Sequence, residues 1–181
     1  AAEIGPGDAV FVPSFTFPSA AEVPALLGAN PVFVDIDPVT FNMDADNLDL
    51  AVSAAKGAGL SPKVVMTVDL FGQPADYDRI QSVAGDHGLW ILDDAAQSFG
   101  ASYNGTPVGA LGRVTGTSFY PSKPLGCYGD GGAVLTDDTD LFDRMKSVRV
   151  HGNGGGDGAI TRIGLTARFD SIQAAVLLAK L

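Results

Sequence analysis

Short apolar segments alternate with amphipathic segments along most of the chain. The apolar segments have the length of strands and are apolar throughout, and they span residues 9–13, 31–37, 63–68, 89–92, 114–120 and 133–136. Apolar residues at helical spacing predict helices over residues 18–27, 44–55, 76–87, 138–150 and 171–181. Strands without polar alternation are typical of a parallel sheet that is buried on both faces. The pattern therefore predicts one α/β domain with helices on both sides of a mostly parallel sheet.

Two features refine the ends of these elements. Pro18 stands in the first turn of the first predicted helix, and Asp170 is placed to cap the last one. The glycine-rich segment 152–158 follows a helix and lacks the context of a nucleotide-binding loop. We interpret it as a flexible connection.

Composition and charge narrow the class of protein. The chain has 181 residues with 46% hydrophobic residues and a net charge of −10, without a basic cluster. These values favour a globular protein and argue against binding to nucleic acid or to an anionic membrane. A phosphorylated ligand stays compatible, because local donors can bind it. The single cysteine fits a reducing compartment such as the cytoplasm, and no histidine has the spacing of a metal ligand near the acids.

Lys123 follows the predicted strand 114–120 in a turn rich in proline and glycine. Pro121 and Pro124 fix φ and remove backbone donors, which stiffens this turn. A lysine held there can be partly desolvated, and its amine can act as a nucleophile. Taken alone, a solvated surface lysine is the commoner case.

Other polar and aromatic residues also follow predicted strands, where ligands of parallel sheets bind. They are Phe17, Asp94, Gln97 and Ser118. Pyridoxal phosphate (PLP) needs a lysine amine, an acid beside the ring nitrogen, a flat group against the ring and small donors for its phosphate. Taken singly, each residue has a commoner interpretation. Asp94 could cap a helix, Phe17 could belong to the core, and Gln97 and Ser118 could be ordinary loop or strand-end residues.

Three motifs carry a resemblance to a known family. They are Asp94-Ala95-Ala96-Gln97, the run Ser-Phe-Tyr-Pro-Ser-Lys-Pro-Leu-Gly over residues 118–126, and Gly129-Asp130-Gly131-Gly132. Together with further stretches over nearly the whole chain, they closely resemble the DegT/DnrJ/StrS sugar aminotransferases. The likeness is strongest towards members that act on UDP-linked 3-keto sugars.

The resemblance implies a fold and a set of roles. The fold is the three-layer α/β, large PLP-binding domain of the aspartate aminotransferase type (fold type I). Residues 1–181 would form its central part, as an incomplete chain without the family's N-terminal phosphate loop and C-terminal small domain. Lys123 would bind the cofactor covalently and move a proton, and Asp94 would pair with the ring nitrogen. Gln97 would contact the ring hydroxyl, Phe17 would stack on the ring, and Ser118 would bind the phosphate.

The implied activity is amino transfer from glutamate to a nucleotide-linked keto sugar, in polysaccharide or amino-sugar biosynthesis, by a cytoplasmic homodimer. Lys123 argues against a related branch that carries histidine and performs dehydration. The family's Gly-x-Asn-x-Arg motif has Thr166 in place of the asparagine that reaches the neighbouring subunit's cofactor phosphate. Two alternatives stay open: another PLP enzyme, such as a dehydratase or isomerase, and a non-catalytic relative or sensor.

Overall fold

The computed structural model describes residues 1–155 and 158–181 and has a six-stranded sheet at its centre. The strands are β1 (Asp8–Pro13), β2 (Asn30–Val34), β3 (Ser61–Val68), β4 (Trp90–Asp94), β5 (Ser102–Tyr103), β6 (Thr106–Pro107), β7 (Val114–Ser118) and β8 (Gly132–Leu135). The helices are α1 (Ser19–Leu26), α2 (Ala45–Gly57), α3 (Tyr77–His87), α4 (Thr139–Arg149) and α5 (Ser171–Leu178). A short 3₁₀ turn, Leu70–Gly72, follows β3.

The strands of the central sheet lie in the order β2-β1-β3-β4-β7-β8. Every neighbouring pair is parallel except β7 and β8, which are antiparallel. The register places Val68 of β3 and Gly116 of β7 on either side of Asp94 in β4. The residues that follow β3 and β4 and the end of β7 therefore meet at one edge of the sheet, and the predicted mostly parallel sheet is confirmed.

Each face of the sheet packs against helices. On one face, Phe11 of β1 belongs to a buried apolar cluster with Leu48 of α2 and Ile80 of α3. On the opposite face, Val10 packs in a second cluster with Ala20 of α1. Successive strand residues point to opposite faces, so a strand covered on both sides needs apolar residues at every position. This explains why the strand segments show no polar alternation, and it confirms the three-layer architecture.

Aspartates precede several helices. The carboxylates of Asp44, Asp76 and Asp138 accept hydrogen bonds from backbone N–H groups in the first turns of α2, α3 and α4. These bonds satisfy donors that have no partner within the helix. The prediction that Asp170 caps α5 is wrong in this respect, because Asp170 occupies the N-cap position without a side-chain hydrogen bond.

Two predicted strands are shorter in the structure. The segment predicted over 31–37 is a strand only to Val34, because the chain then turns and Asp37 Oδ1 accepts hydrogen bonds from backbone N–H groups of that turn. The segment predicted over 114–120 leaves the sheet after Ser118. The turn that carries Lys123 therefore begins earlier than the apolar pattern indicated.

Further differences lie in the second half of the chain. The sequence did not predict the β5–β6 hairpin, which turns at Asn104 and Gly105 with φ values of 48° and 83°. The last helix ends at Leu178 rather than at residue 181. The predicted flexible connection 152–158 includes residues 156 and 157, which lie outside the described residues. Among the described residues, no helix is long and apolar enough to cross a membrane.

Candidate active site

The turn after β4 is held at the edge of the sheet by its neighbours. The N–H of Asp69 donates to the carbonyl of Asp94 at 3.1 Å, and the N–H of Ala95 donates to the carbonyl of Gly116 at 2.8 Å. The hydroxyl of Thr117 donates to the carbonyl of Ala95 at 3.1 Å. The segments after β3 and within β7 therefore fix the backbone on which Asp94 stands.

Asp94 presents a partly buried carboxylate at this edge. Its Oδ1 atom accepts a hydrogen bond from the N–H of Ala96 at 3.0 Å, whereas Oδ2 accepts none from residues 1–155 and 158–181. Burial raises the pKa of Asp94, and the Ala96 N–H and the positive charge of Lys123 lower it. A turn rather than a helix follows Asp94, so the helix-cap interpretation is wrong.

Lys123 lies on a turn closed by backbone hydrogen bonds. Its N–H donates to the carbonyl of Tyr120 at 2.9 Å, and the N–H of Cys127 donates to the carbonyl of Phe119 at 2.8 Å. The side chain of Lys123 is partly buried. Its amine makes no hydrogen bond or salt bridge with any other residue of the described chain. A lysine amine without a hydrogen-bond partner in the described chain is available to react as a nucleophile.

The structure brings Lys123, Asp94, Gln97 and Ser118 to the same edge of the sheet. Lys123 is near enough to Asp94 for its charge to act on that carboxylate. Ser118 ends β7, and its Oγ accepts the N–H of Tyr120 at 3.2 Å, which leaves the hydroxyl proton free to donate elsewhere. Gln97 lies on the turn that begins after Asp94, and its side chain is exposed.

Phe17 and Thr166 are the two other predicted cofactor-binding residues. Phe17 follows β1 and is 73% exposed, so it does not belong to the core. The hydroxyl of Thr166 shares a hydrogen bond with His151 Nε2 at 2.7 Å. Within the described ranges, no hydrogen bond joins Thr166 to Lys123 or Asp94.

Comparison with known proteins decides the family. The whole chain, residues 1–181, matches the model of the DegT/DnrJ/EryC1/StrS aminotransferase family. The chain belongs to this family. It is 47% identical over 178 residues to the UDP-2-acetamido-2-deoxy-3-oxo-D-glucuronate aminotransferase of Pseudomonas aeruginosa. The aligned region covers 98% of this chain and 48% of that relative. The predicted family is therefore confirmed.

Two solved structures share the fold. A family aminotransferase from Brucella abortus superposes with a TM-score of 0.96 at 54% identity, over 99% of this chain and 48% of that chain. NtdA from Bacillus subtilis, solved with the bound cofactor PMP, gives a TM-score of 0.84 at 30% identity, over 97% of this chain and 39% of that chain. The chain thus spans half or less of the length of these relatives.

A buried polar cluster, not predicted from the sequence, lies behind Asp94 in this family member. The hydroxyl oxygen of Tyr77 lies 2.6 Å from Asp93 Oδ1 and 3.0 Å from Asp69 Oδ1. Both aspartates are fully buried. Burial is the largest cause that raises their pKa values, to about 7 for Asp93. The available signal was an acid placed within an apolar strand, since Asp93 precedes the last residue of β4.

A second feature that the sequence left unassigned is a group of exposed aromatic rings. The rings of Phe15 and Phe41 lie 5.8 Å apart, and those of Phe41 and Phe71 lie 6.2 Å apart. Phe41 and Phe71 have φ values of 63° and 59°, a conformation that bulky residues rarely adopt. The backbone is thus held in an unfavourable conformation where these rings face outward.

Proposed function

We propose that the protein containing this chain is a PLP-dependent aminotransferase that transfers an amino group from glutamate to a keto group on a nucleotide-linked sugar. Membership of the aminotransferase family and the similarity to a UDP-linked 3-oxo-sugar aminotransferase support this function. The structural observation that carries it is the unbonded amine of Lys123 beside the partly buried carboxylate of Asp94. Those are the two groups that PLP chemistry requires most directly.

The residues present fit PLP. The Oδ2 atom of Asp94 is free to accept a hydrogen bond from a protonated ring nitrogen, and Lys123 has no competing partner in the described chain. When bound, PLP supplies an electron sink for the carbon–nitrogen chemistry of the substrate. We assign Phe17 to the face of the ring, Gln97 to its hydroxyl and Ser118 to the phosphate.

Burial raises the pKa of Asp94 overall, and two neighbouring groups oppose that effect. Burial favours the neutral carboxylic acid, whereas the N–H of Ala96 and the charge of Lys123 favour the carboxylate. An ionised Asp94 keeps a neighbouring ring nitrogen protonated, and a protonated ring draws electrons more strongly. Nζ of Lys123 makes no hydrogen bond with a described residue, so it is free to contact a bound cofactor or substrate. The hydrogen bond from its own N–H to Tyr120 keeps the backbone beneath it in place.

We also propose a homodimer that acts in the cytoplasm. The exposed cluster of Phe15, Phe41 and Phe71 supports association, because contiguous exposed rings mark interaction surfaces.

Thr166, bonded to His151 and not to Asp94 or Lys123, would serve the cofactor phosphate of the neighbouring subunit. Residues 1–181 would form the central part of the large PLP-binding domain, in keeping with a match to about half of each relative.

The test uses the intact protein and its Lys123→Ala variant. The wild type should show a visible absorbance band that borohydride removes, and the variant should not. The matched control is Lys63→Ala. Lys63 is an exposed lysine near the start of β3, and the other end of that strand lies beside Asp94. Amino transfer is then followed as 2-oxoglutarate formed from glutamate with a panel of UDP- and dTDP-linked keto sugars.

Each outcome of these assays distinguishes the proposed function from one alternative. A band that survives in Lys123→Ala contradicts the assignment of the lysine. A wild-type band without amino transfer to any keto sugar favours another PLP enzyme of the same fold. A protein that binds no PLP at all is a non-catalytic relative.

A further inference from the structure

Two fully buried aspartates lie behind the proposed active site, and residues 1–155 and 158–181 supply neither with a salt-bridge partner. Asp69 Oδ1 accepts the N–H of Ala75 at 3.0 Å, and Asp69 Oδ2 accepts the hydroxyl of Ser98 at 2.7 Å. Asp93 Oδ2 accepts the hydroxyl of Thr115 at 3.2 Å. The salt bridges of the described residues involve neither aspartate. Two adjacent buried negative charges without a counter-ion are strongly unfavourable.

The hydroxyl of Tyr77 joins the two carboxyl groups, and its single proton cannot serve both. The Tyr77 oxygen is 2.6 Å from Asp93 Oδ1, 3.0 Å from Asp69 Oδ1 and 3.2 Å from the hydroxyl of Thr67. If both aspartates were ionised, one of the two carboxylate contacts would place two lone pairs against each other. Burial, followed by the charges of Asp93 and Asp69, raises the pKa of Tyr77, so the tyrosine keeps its proton.

One additional proton removes the conflict, and the other partners indicate where it resides. Asp69 has donors at both oxygens that are independent of Tyr77, namely Ala75 and Ser98. These donors favour its ionised form. Apart from Tyr77, the described residues give Asp93 only the long hydrogen bond from Thr115. A protonated Asp93 can donate to the Tyr77 oxygen, and Tyr77 can then donate to Asp69.

The charged groups around the cluster also favour a proton on Asp93 rather than on Asp69. Those that act on Asp93 are Asp69 and Asp94, and both are acids. Lys123 is a cation that acts on Asp94, on the active-site side. Desolvation and two neighbouring negative charges therefore all favour the neutral form of Asp93.

We propose that Asp69 and Asp93 share one proton that resides on Asp93, and that the chain of hydrogen bonds from Asp93 through Tyr77 to ionised Asp69 positions the turn that carries Asp94. Asp69 reaches both ends of that turn. Its N–H donates to the carbonyl of Asp94, and its carboxylate accepts from Ser98. The positioning role rests on the proposed function of Asp94, whereas the shared proton does not.

The decisive experiment observes the carboxyl carbons by NMR in the intact protein without added cofactor. Asp93 should be protonated in mildly acidic solution and lose its proton with a midpoint near pH 7, while Asp69 stays ionised. In Asp93→Asn, whose amide can donate to Tyr77 and accept from Thr115, this titration should vanish. In Asp69→Asn, the midpoint for Asp93 should move to lower pH, because a neighbouring negative charge is removed. The matched control is Asp170→Asn, since Asp170 is exposed and makes no capping bond.

Two results would overturn the shared proton. One is a wild type in which both buried carboxyl groups are already ionised in mild acid. The other is a neutral-range titration that persists in Asp93→Asn, since the proton would then belong to another group. Either result can be obtained whether or not the protein binds PLP, so a failure here is distinct from a failure of the proposed function.

The positioning role has its own readout in the enzyme loaded with PLP. Wild-type amino transfer should decline as the pH rises through the titration of Asp93, and the decline should be absent in Asp93→Asn. Identical pH profiles for the two proteins would contradict a positioning role, even if the proton is found where we expect it.

Discussion

Replacing Gly126 with alanine tests how tightly the turn around Lys123 is packed. A Cβ atom at Gly126 would lie 2.7 Å from the carbonyl oxygen of Pro121 and 2.8 Å from that of Tyr120. Ordinary contact begins at 3.4 Å, and both atoms belong to the backbone, so neither can rotate away. The two peptide groups would therefore have to move by more than half an ångström.

The expected loss of stability follows from these contacts. Overpacking of this kind costs about 1–3 kcal/mol. The displaced Tyr120 carbonyl is also the acceptor of the Lys123 N–H at 2.9 Å, and a lost hydrogen bond adds about 1 kcal/mol. We therefore expect Gly126→Ala to lower the free energy of unfolding by about 2–4 kcal/mol and to displace Lys123 from Asp94.

Urea unfolding of the intact protein measures the first effect, and the borohydride-sensitive absorbance band measures the second. The matched control is Gly85→Ala in α3, where an added Cβ meets no atom within 4 Å. That control should leave the band intact and stabilise the helix by up to about 1 kcal/mol. If Gly126→Ala were as stable as the wild type and kept the band, the close packing of this turn would be refuted.

Three further predictions concern the core, a helix cap and pH. Phe11→Ala should lower the unfolding free energy by about 3–5 kcal/mol in urea, because Phe11 is fully buried. Asp44→Ala should cost about 1 kcal/mol in the same assay, whereas Asp170→Ala should cost almost nothing, because only Asp44 makes capping bonds. The raised pKa of Asp93 means that the folded state binds a proton that the unfolded chain has released between about pH 4 and 7. Its contribution to stability should therefore fall by up to about 1.4 kcal/mol per pH unit as the pH rises through that window, and pH-dependent urea unfolding of Asp93→Asn should lack that fall.

The sequence predicts most of the sheet because burial on both faces leaves a direct trace in residue type. Val10 and Phe11 are adjacent, and both are buried, one in each apolar layer. Only a strand between two layers of helices requires this pattern. The meeting of the strand ends was also predictable, because parallel strands bring their carboxyl ends to one edge of the sheet. The prediction that Lys123 and Asp94 approach each other depended on that rule and on the family resemblance.

Side-chain partners were less predictable, because they depend on contacts between segments that are distant in the sequence. Asp44 and Asp170 both precede helices, yet only Asp44 makes the capping bonds. Residue type and position are the same in the two cases, so only the three-dimensional placement of the side chain distinguishes them. The contact between Tyr77 and Asp93 joins residues 16 positions apart, and it requires α3 to pack on one particular face of the sheet. No local pattern encodes that choice.

The two adjacent acids at the end of β4 show how strand geometry can separate two chemical roles. Asp94 faces the candidate active site, where the Ala96 N–H and the charge of Lys123 oppose the effect of burial. Asp93 points to the other face, among Tyr77 and further acids, and nothing positive offsets its desolvation. If these acids together retain one proton, it should settle on Asp93, because Asp93 is fully buried, two neighbouring acids act on it, and no cation is among the described groups that act on it. Neutral Asp93 then adds no negative charge beside Asp94, which lowers the cost of ionising Asp94 as the partner of a protonated ring nitrogen.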